Sequence, residues 1–126
     1  MSYININHID KDMNLWDKGL DFYKDELRIM EKRLAEVSAK NNGHESEAGV
    51  EHFQNQFLIQ RKNIQDIKHE INRYNHNIAT DVKEHAGHVD TALQANGMAI
   101  KDQYEGFERV MNGLRKEFNE FLSKWM

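Results

Sequence analysis

The chain has 126 residues, no proline, no cysteine, 30% charged residues and a formal net charge of −4 at pH 7. Its length is that of a single domain. The missing cysteine excludes disulfides, thiol nucleophiles, Fe–S clusters and thiolate zinc sites. The missing proline and the scarcity of glycine argue against turn-rich β folds and suit long unbroken helices, while the acidic balance lacks the basic footprint of nucleic-acid binding.

Hydrophobic residues make up 39% of the chain, enough for a narrow core wrapped in charge. No apolar run approaches the roughly 18 residues of a transmembrane helix. The opening residues Met1-Ser-Tyr-Ile-Asn-Ile-Asn-His8 show no basic region followed by an apolar run, so no secretory signal is expected. Cytoplasmic residence is the default expectation, with export by a non-classical route left open.

Apolar residues first recur at steps of three and four along Ile6, Ile9, Met13, Trp16, Leu20, Tyr23, Leu27, Met30, Leu34 and Val37. These are a and d positions of successive heptads and predict a helix over about 7–41. Asn7 is a candidate cap for its start. Asn41-Asn42-Gly43 offers residues that tolerate the left-handed conformation closing a helix. Trp16 and Leu20 are expected to anchor the core.

A second stripe, Val50, Phe53, Phe57, Gln60, Ile64, Ile67, Ile71, Tyr74 and Ile78, predicts a helix over about 46–86 with Ser46 as its N-cap. Gln60 interrupts the stripe. It either fixes register as a polar core residue or reaches solvent from a thinly covered layer. The third stripe runs Leu93, Gly97, Ile100, Tyr104, Phe107, Met111, Leu114, Phe118, Phe121 and Trp125, for a helix over about 89–125. Its phase does not continue that of the second. Either a stutter runs through one very long helix or the chain turns near His85-Ala86-Gly87-His88, with Asp90 as a cap. A rival boundary is the capping-box pattern Asp81-Val-Lys-Glu84. Folding about Gly43 sets Ile9 opposite Asn77 and Ile78, and folding about Gly87 sets Val50 opposite Trp125. Helices of similar length then use the whole chain. The expected fold is all-α, an up-down-up antiparallel three-helix bundle of long coiled-coil-like helices.

Leu15, Phe22 and Ile29 recur every seven residues, two positions past the a residues of helix 1. The matching positions of helix 3 are small: Ala92, Ala99, Gly106 and Gly113. The large flank either packs against the small one inside the monomer or forms a seam to another chain. With Leu58 and Ile59, outside the heptad set of helix 2, it is the candidate interaction surface.

Catalytic motifs are absent: no phosphate-binding glycine loop, no H-E-x-x-H, no G-x-S-x-G and no EF-hand loop. An enzyme is not expected, and no cofactor is implied. Asp66-Ile-Lys-His69 has the spacing of a di-metal ligand pair, but falls on the outer face of helix 2. Glu36 with Lys40, Glu105 with Arg109 and Glu120 with Lys124 read as solvated i, i+4 pairs. The bundle end that joins the start of helix 1 to the second turn gathers His8, Asp10, Asp12, His76, Asp81, Glu84, His85, His88 and Asp90. His8, His76, Asp81, His85 and His88 are the candidate ligands of a metal-binding or pH-responsive site there; a hydrated polar end is the simpler reading. The amphipathic stretch Val110–Met126 has mixed charge on its polar face. It is expected to pack on Val50 and Phe53 rather than lie on a membrane.

Trp16 at a d position of the first of three helices resembles spectrin-like repeats, which implies a three-helix fold; there is no tandem repeat here. Tyr104-Glu-Gly-Phe-Glu108 is similar to the Tyr-x-x-x-Asp/Glu export signal of small secreted helical-hairpin proteins with a Trp-x-Gly turn. That likeness implies a secretion-system substrate or its helical partner, although the first turn here has no tryptophan. No functional residue is carried over from either family. The expected function is a non-enzymatic helical module presenting long faces to a protein partner or to itself. The secretion-substrate and metal or pH readings stand as alternatives.

Overall fold

The computed structural model describes the backbone of residues 6–84 and 91–126, and the side chains of 11–80 and 93–126. Helices α1 (Ile6–Lys40), α2 (His44–Glu84) and α3 (Thr91–Trp125) account for nearly all of it, and no strand occurs among the described residues. Three helices pack side by side, α2 antiparallel to its neighbours. Lys68 reaches Asp17 and Asp21 at 3.1 and 2.8 Å, and Arg61 reaches Glu31 at 2.6 Å, so α2 descends as α1 ascends. Arg115 meets Glu26, and Asn41 meets Trp125, so α3 runs parallel to α1.

The core is the predicted a and d set. Met13, Leu20, Leu27, Leu34 and Val37 of α1 are buried, as are Phe57, Ile64, Ile67 and Ile71 of α2 and Ile100, Met111 and Phe118 of α3. Each such side chain contributes about 1.5–3 kcal/mol by leaving water, and this packing, more than helix propensity, holds helices of this length. Phe118 lies 5.1 Å from Phe53 and 5.3 Å from Phe57 between ring centroids, both edge-on. The C-terminal stretch therefore packs inward on α2, as its mixed charge implied.

Three interior glycines make room for aromatic rings. A Cβ on Gly19 would strike the Tyr104 hydroxyl, one on Gly49 would strike the Phe121 ring, and one on Gly97 would sit 3.0 Å from the Tyr74 hydroxyl. Glycine weakens a helix by about 1 kcal/mol relative to alanine. Here the vacated space lets a facing ring lie against backbone.

Several boundaries differ from the sequence reading. Residue 6 is already helical, so Asn7 lies within the first turn and is not a cap. α2 begins at His44, two residues early. Gly43 precedes it and accepts the first helical bond, from the Glu47 amide at 3.1 Å. Ser46 is buried inside the turn and donates its hydroxyl back to the Gly43 carbonyl at 2.9 Å. Gly43 is not left-handed. The end of α1 is instead closed by Asn41, whose side-chain amide donates to the carbonyls of Val37 and Trp125, each at 3.0 Å. That one side chain ties two helix C-termini together: the Trp125 carbonyl has no helical i+4 amide to take it, while the Val37 carbonyl also accepts the Asn41 backbone amide at 3.0 Å. α2 continues through Asp81 to Glu84, which overturns the capping-box boundary. α3 packs back along α2, so one continuous helix is excluded and the chain reverses between Glu84 and Thr91. Residues 85–90, with the expected Gly87 closure and Asp90 cap, lie outside the described residues.

Trp16 corrects another expectation. It is only partly buried, stacked on Tyr104 with centroids 6.0 Å apart. It lids the Gly19–Tyr104 contact, and Leu20 beside it is wholly buried. Gln60 is buried at 3% exposure. Its side-chain oxygen accepts a bond from Asn63 at 3.1 Å, so the polar interruption belongs to the core.

Candidate interaction surface

The flanks of α1 face different neighbours. Asp17 and Glu31 follow the core positions and take Lys68 and Arg61 of α2. Gly19 and Glu26 precede Leu20 and Leu27 and face α3. Glu26 accepts a two-pronged bond from Arg115, with Nε and one terminal nitrogen each at 2.7 Å. One turn away the Tyr23 hydroxyl donates to Glu108 at 2.9 Å. Burial, then this bond to a carboxylate, pushes Tyr23 up to about 12. Burial, then the Glu108 charge, does the same to Tyr104. The α1–α3 seam is thus closed by charged clamps over an aromatic layer.

Leu15, Phe22 and Ile29 lie further out on this same side of α1, with 64%, 60% and 60% of their surface exposed. Phe22 and Ile29 wall a groove of about 390 Å³ whose opposite side is Arg115, Phe118, Asn119 and Leu122 of α3. Among the described residues the small flank of α3 does not cover them, and Ala99 lies on the α2 side. Ala99 lines a separate polar groove with Asp66, His69 and Arg73 of α2, and a Cβ on Gly113 would meet nothing within 4 Å. The stripe is therefore not enclosed between α1 and α3, although Phe22 and Ile29 line the groove between them.

Leu58 and Ile59 are exposed as well, but they do not join the stripe. Leu58 walls a groove of about 520 Å³ between α1 and α2 with Leu34, Ala35 and Ser38, on the opposite flank of α1. Met98 and Val110 are further exposed apolar residues of α3, outside its heptad stripe.

The histidine-rich end is described only in part. The side chains of His8, Asp10, Asp81, Glu84, His85, His88 and Asp90 lie outside the described residues, and His76 is exposed. Among the described residues, no three histidines or carboxylates converge as metal ligands would. Asp66 and His69 are both exposed on α2, and Asp66 pairs with Lys62 at 3.6 Å. The expected surface pairs exchange partners: Glu36 takes Arg33, Glu105 takes Lys101, and Lys124 crosses to Glu45 of α2.

Among the described residues, no helix is long and apolar enough to cross a membrane. Comparison with protein-family models, curated proteins and solved structures finds no match to this chain.

Proposed function

We propose that the chain is a non-enzymatic interaction module whose working surface is the Leu15–Phe22–Ile29 face of α1, offered to a helical face of a protein. The observation that carries this reading is the exposure of three large apolar side chains at strict seven-residue spacing. That period keeps the row on one side of the helix, and among the described residues no other helix encloses it: Phe22 meets the Tyr23 ring edge-on at 5.4 Å but stays 60% exposed. Single exposed apolar residues are ordinary on any surface; a regular row of them supports reading this face as a contact for another chain. The neighbouring groove, with a charged wall at Arg115 and an apolar one at Leu122, supplies the mixed rim such contacts use.

Photo-crosslinking in the native host tests this reading. A photoreactive side chain at position 22 is expected to form protein adducts, and one at position 62, on the charged face of α2, is not. Ile29→Glu should abolish the adducts at position 22 while leaving helicity intact. No adduct from position 22 refutes the reading.

A further inference from the structure

We infer that the occupant of the α1 stripe is a second copy of this chain, its α1 lying antiparallel across the first with a two-fold axis near Phe22; this rests on the stripe being the working surface. The stripe is symmetric about Phe22, with Leu15 and Ile29 seven residues to either side. A two-fold axis sets Phe22 against Phe22, and Leu15 of each copy against Ile29 of the other. An isologous contact of this kind needs one self-complementary patch, and the charges beside the stripe provide it. Lys18 of each copy falls beside Asp25 of the other, and Asp12 beside Arg33. Only Lys11 and Lys32, at the margins, meet like charge.

In a parallel pair the same flanks place Asp25 beside Glu26 and Lys32 beside Arg33, leaving Lys18 beside Gly19. Like charges then meet along the middle of the seam, where repulsion between partners sets specificity. Asp25 and Arg33 at present hold exposed contacts within α1, to Arg28 at 3.4 Å and Glu36 at 3.2 Å. Such surface pairs are weak and exchange readily.

The size of the patch sets the expected strength. Three large side chains exposing roughly 100 Å² each give about 600 Å² across two copies, about half the low end of a stable interface. The groove walls at Arg115, Asn119 and Leu122 must supply the rest. A dimer dissociating in the micromolar range is expected, not an obligate one.

Light scattering on the intact chain over about 10 µM to 1 mM spans that range. The mass should climb from 14.9 kDa toward twice that value. Phe22→Glu should hold it at the monomer value with an unchanged circular dichroism spectrum. Lys18→Glu should weaken pairing about tenfold, and Lys18→Glu with Asp25→Lys should restore it. Because the chain has no cysteine, register is readable by disulfide trapping. A mixture of Leu15→Cys and Ile29→Cys chains should give the mixed disulfide under mild oxidation, and each chain alone should give little. A parent that stays monomeric at 1 mM, or Leu15→Cys chains that link to one another in preference to Ile29→Cys chains, overturns the inference. If position 22 meanwhile crosslinks to a different protein in the host, the interaction-module reading stands and only the second copy falls. If it crosslinks to nothing, both fall.

Discussion

Substituting alanine at different interior glycines should change stability in opposite directions, and the structure sets the sign at each. Gly113 lies exposed within α3, and a Cβ there meets nothing within 4 Å. Gly113→Ala removes the helix penalty of glycine without steric cost and should stabilise by about 0.5–1 kcal/mol. Gly49→Ala makes the same backbone gain, but its Cβ collides with the Phe121 ring. Phe121 cannot step aside freely, because Phe53 lies 5.0 Å away and Phe118 6.2 Å away between centroids. Forcing a carbon into such a layer costs about 1–3 kcal/mol, so the net effect is a loss of about 1 kcal/mol. Gly19→Ala meets the Tyr104 ring, itself stacked on Trp16, and should lose as much or more. One kcal/mol corresponds to about 4 °C in Tm for a domain of this size. Urea and thermal unfolding of the three variants should therefore place Gly113→Ala above the parent and the other two below it. Equal gains from Gly49→Ala and Gly113→Ala would show that the ring does not occupy the glycine hollow.

Leu20→Ala, at a wholly buried site, should cost about 2–5 kcal/mol in urea unfolding. Trp16→Ala should cost less, since partly buried Trp16 covers the core edge instead of filling it. Arg115→Ala should cost about 1–3 kcal/mol by leaving Glu26, only 19% exposed in its side chain, without its guanidinium; Arg115→Lys should restore only part of that, because lysine cannot make the paired bonds. Alkali should unfold the protein through Tyr23 and Tyr104, both raised from 10.0 to about 12. The folded state holds these phenolic protons more tightly, so their contribution is complete below pH 10 and lost as pH rises toward 12. Urea midpoints should fall across that window, and Tyr23→Phe should flatten the fall.

The heptad stripes made the helices, their order and nearly every core residue legible, because burial of one face per helix follows directly from spacing. The ends were harder to read. Ser46 has the chemistry of a cap, yet its hydroxyl turns inward to the Gly43 carbonyl, and Asn41 closes α1 by reaching the last turn of α3. Both depend on which segments meet in space, and helix propensity carries no such information. The glycine hollows were hidden for the same reason. Gly19 and Gly49 sit one place off the core positions, and only the facing Tyr104 and Phe121 rings explain them. Trp16 lies on the stripe but at its rim, where three helices do not enclose a ring that large. Within the candidate surface, periodicity singled out Leu15, Phe22 and Ile29; it could not separate them from Leu58, which lies across α1 in another groove.

The separation of core from stripe gives the surface its meaning. Every large residue at an a or d position of α1 between Met13 and Val37 is buried except Trp16, and α1 is fixed to its neighbours by clamps on both flanks: Lys68 and Arg61 on one, Arg115 and Glu108 on the other. None of these uses Leu15, Phe22 or Ile29. Polar residues at those positions should cost the bundle little and make it more soluble, since exposed apolar rows favour association. Met98 and Val110, single exposed residues off any period, carry no such implication. What distinguishes the α1 row is its regular seven-residue spacing on one side of the helix, with no described helix enclosing it. Glutamate at Phe22 and Ile29 should accordingly leave the unfolding free energy of the isolated monomer within about 0.5 kcal/mol of the parent. A larger loss would place the stripe in the folding core and remove the ground for treating it as a surface.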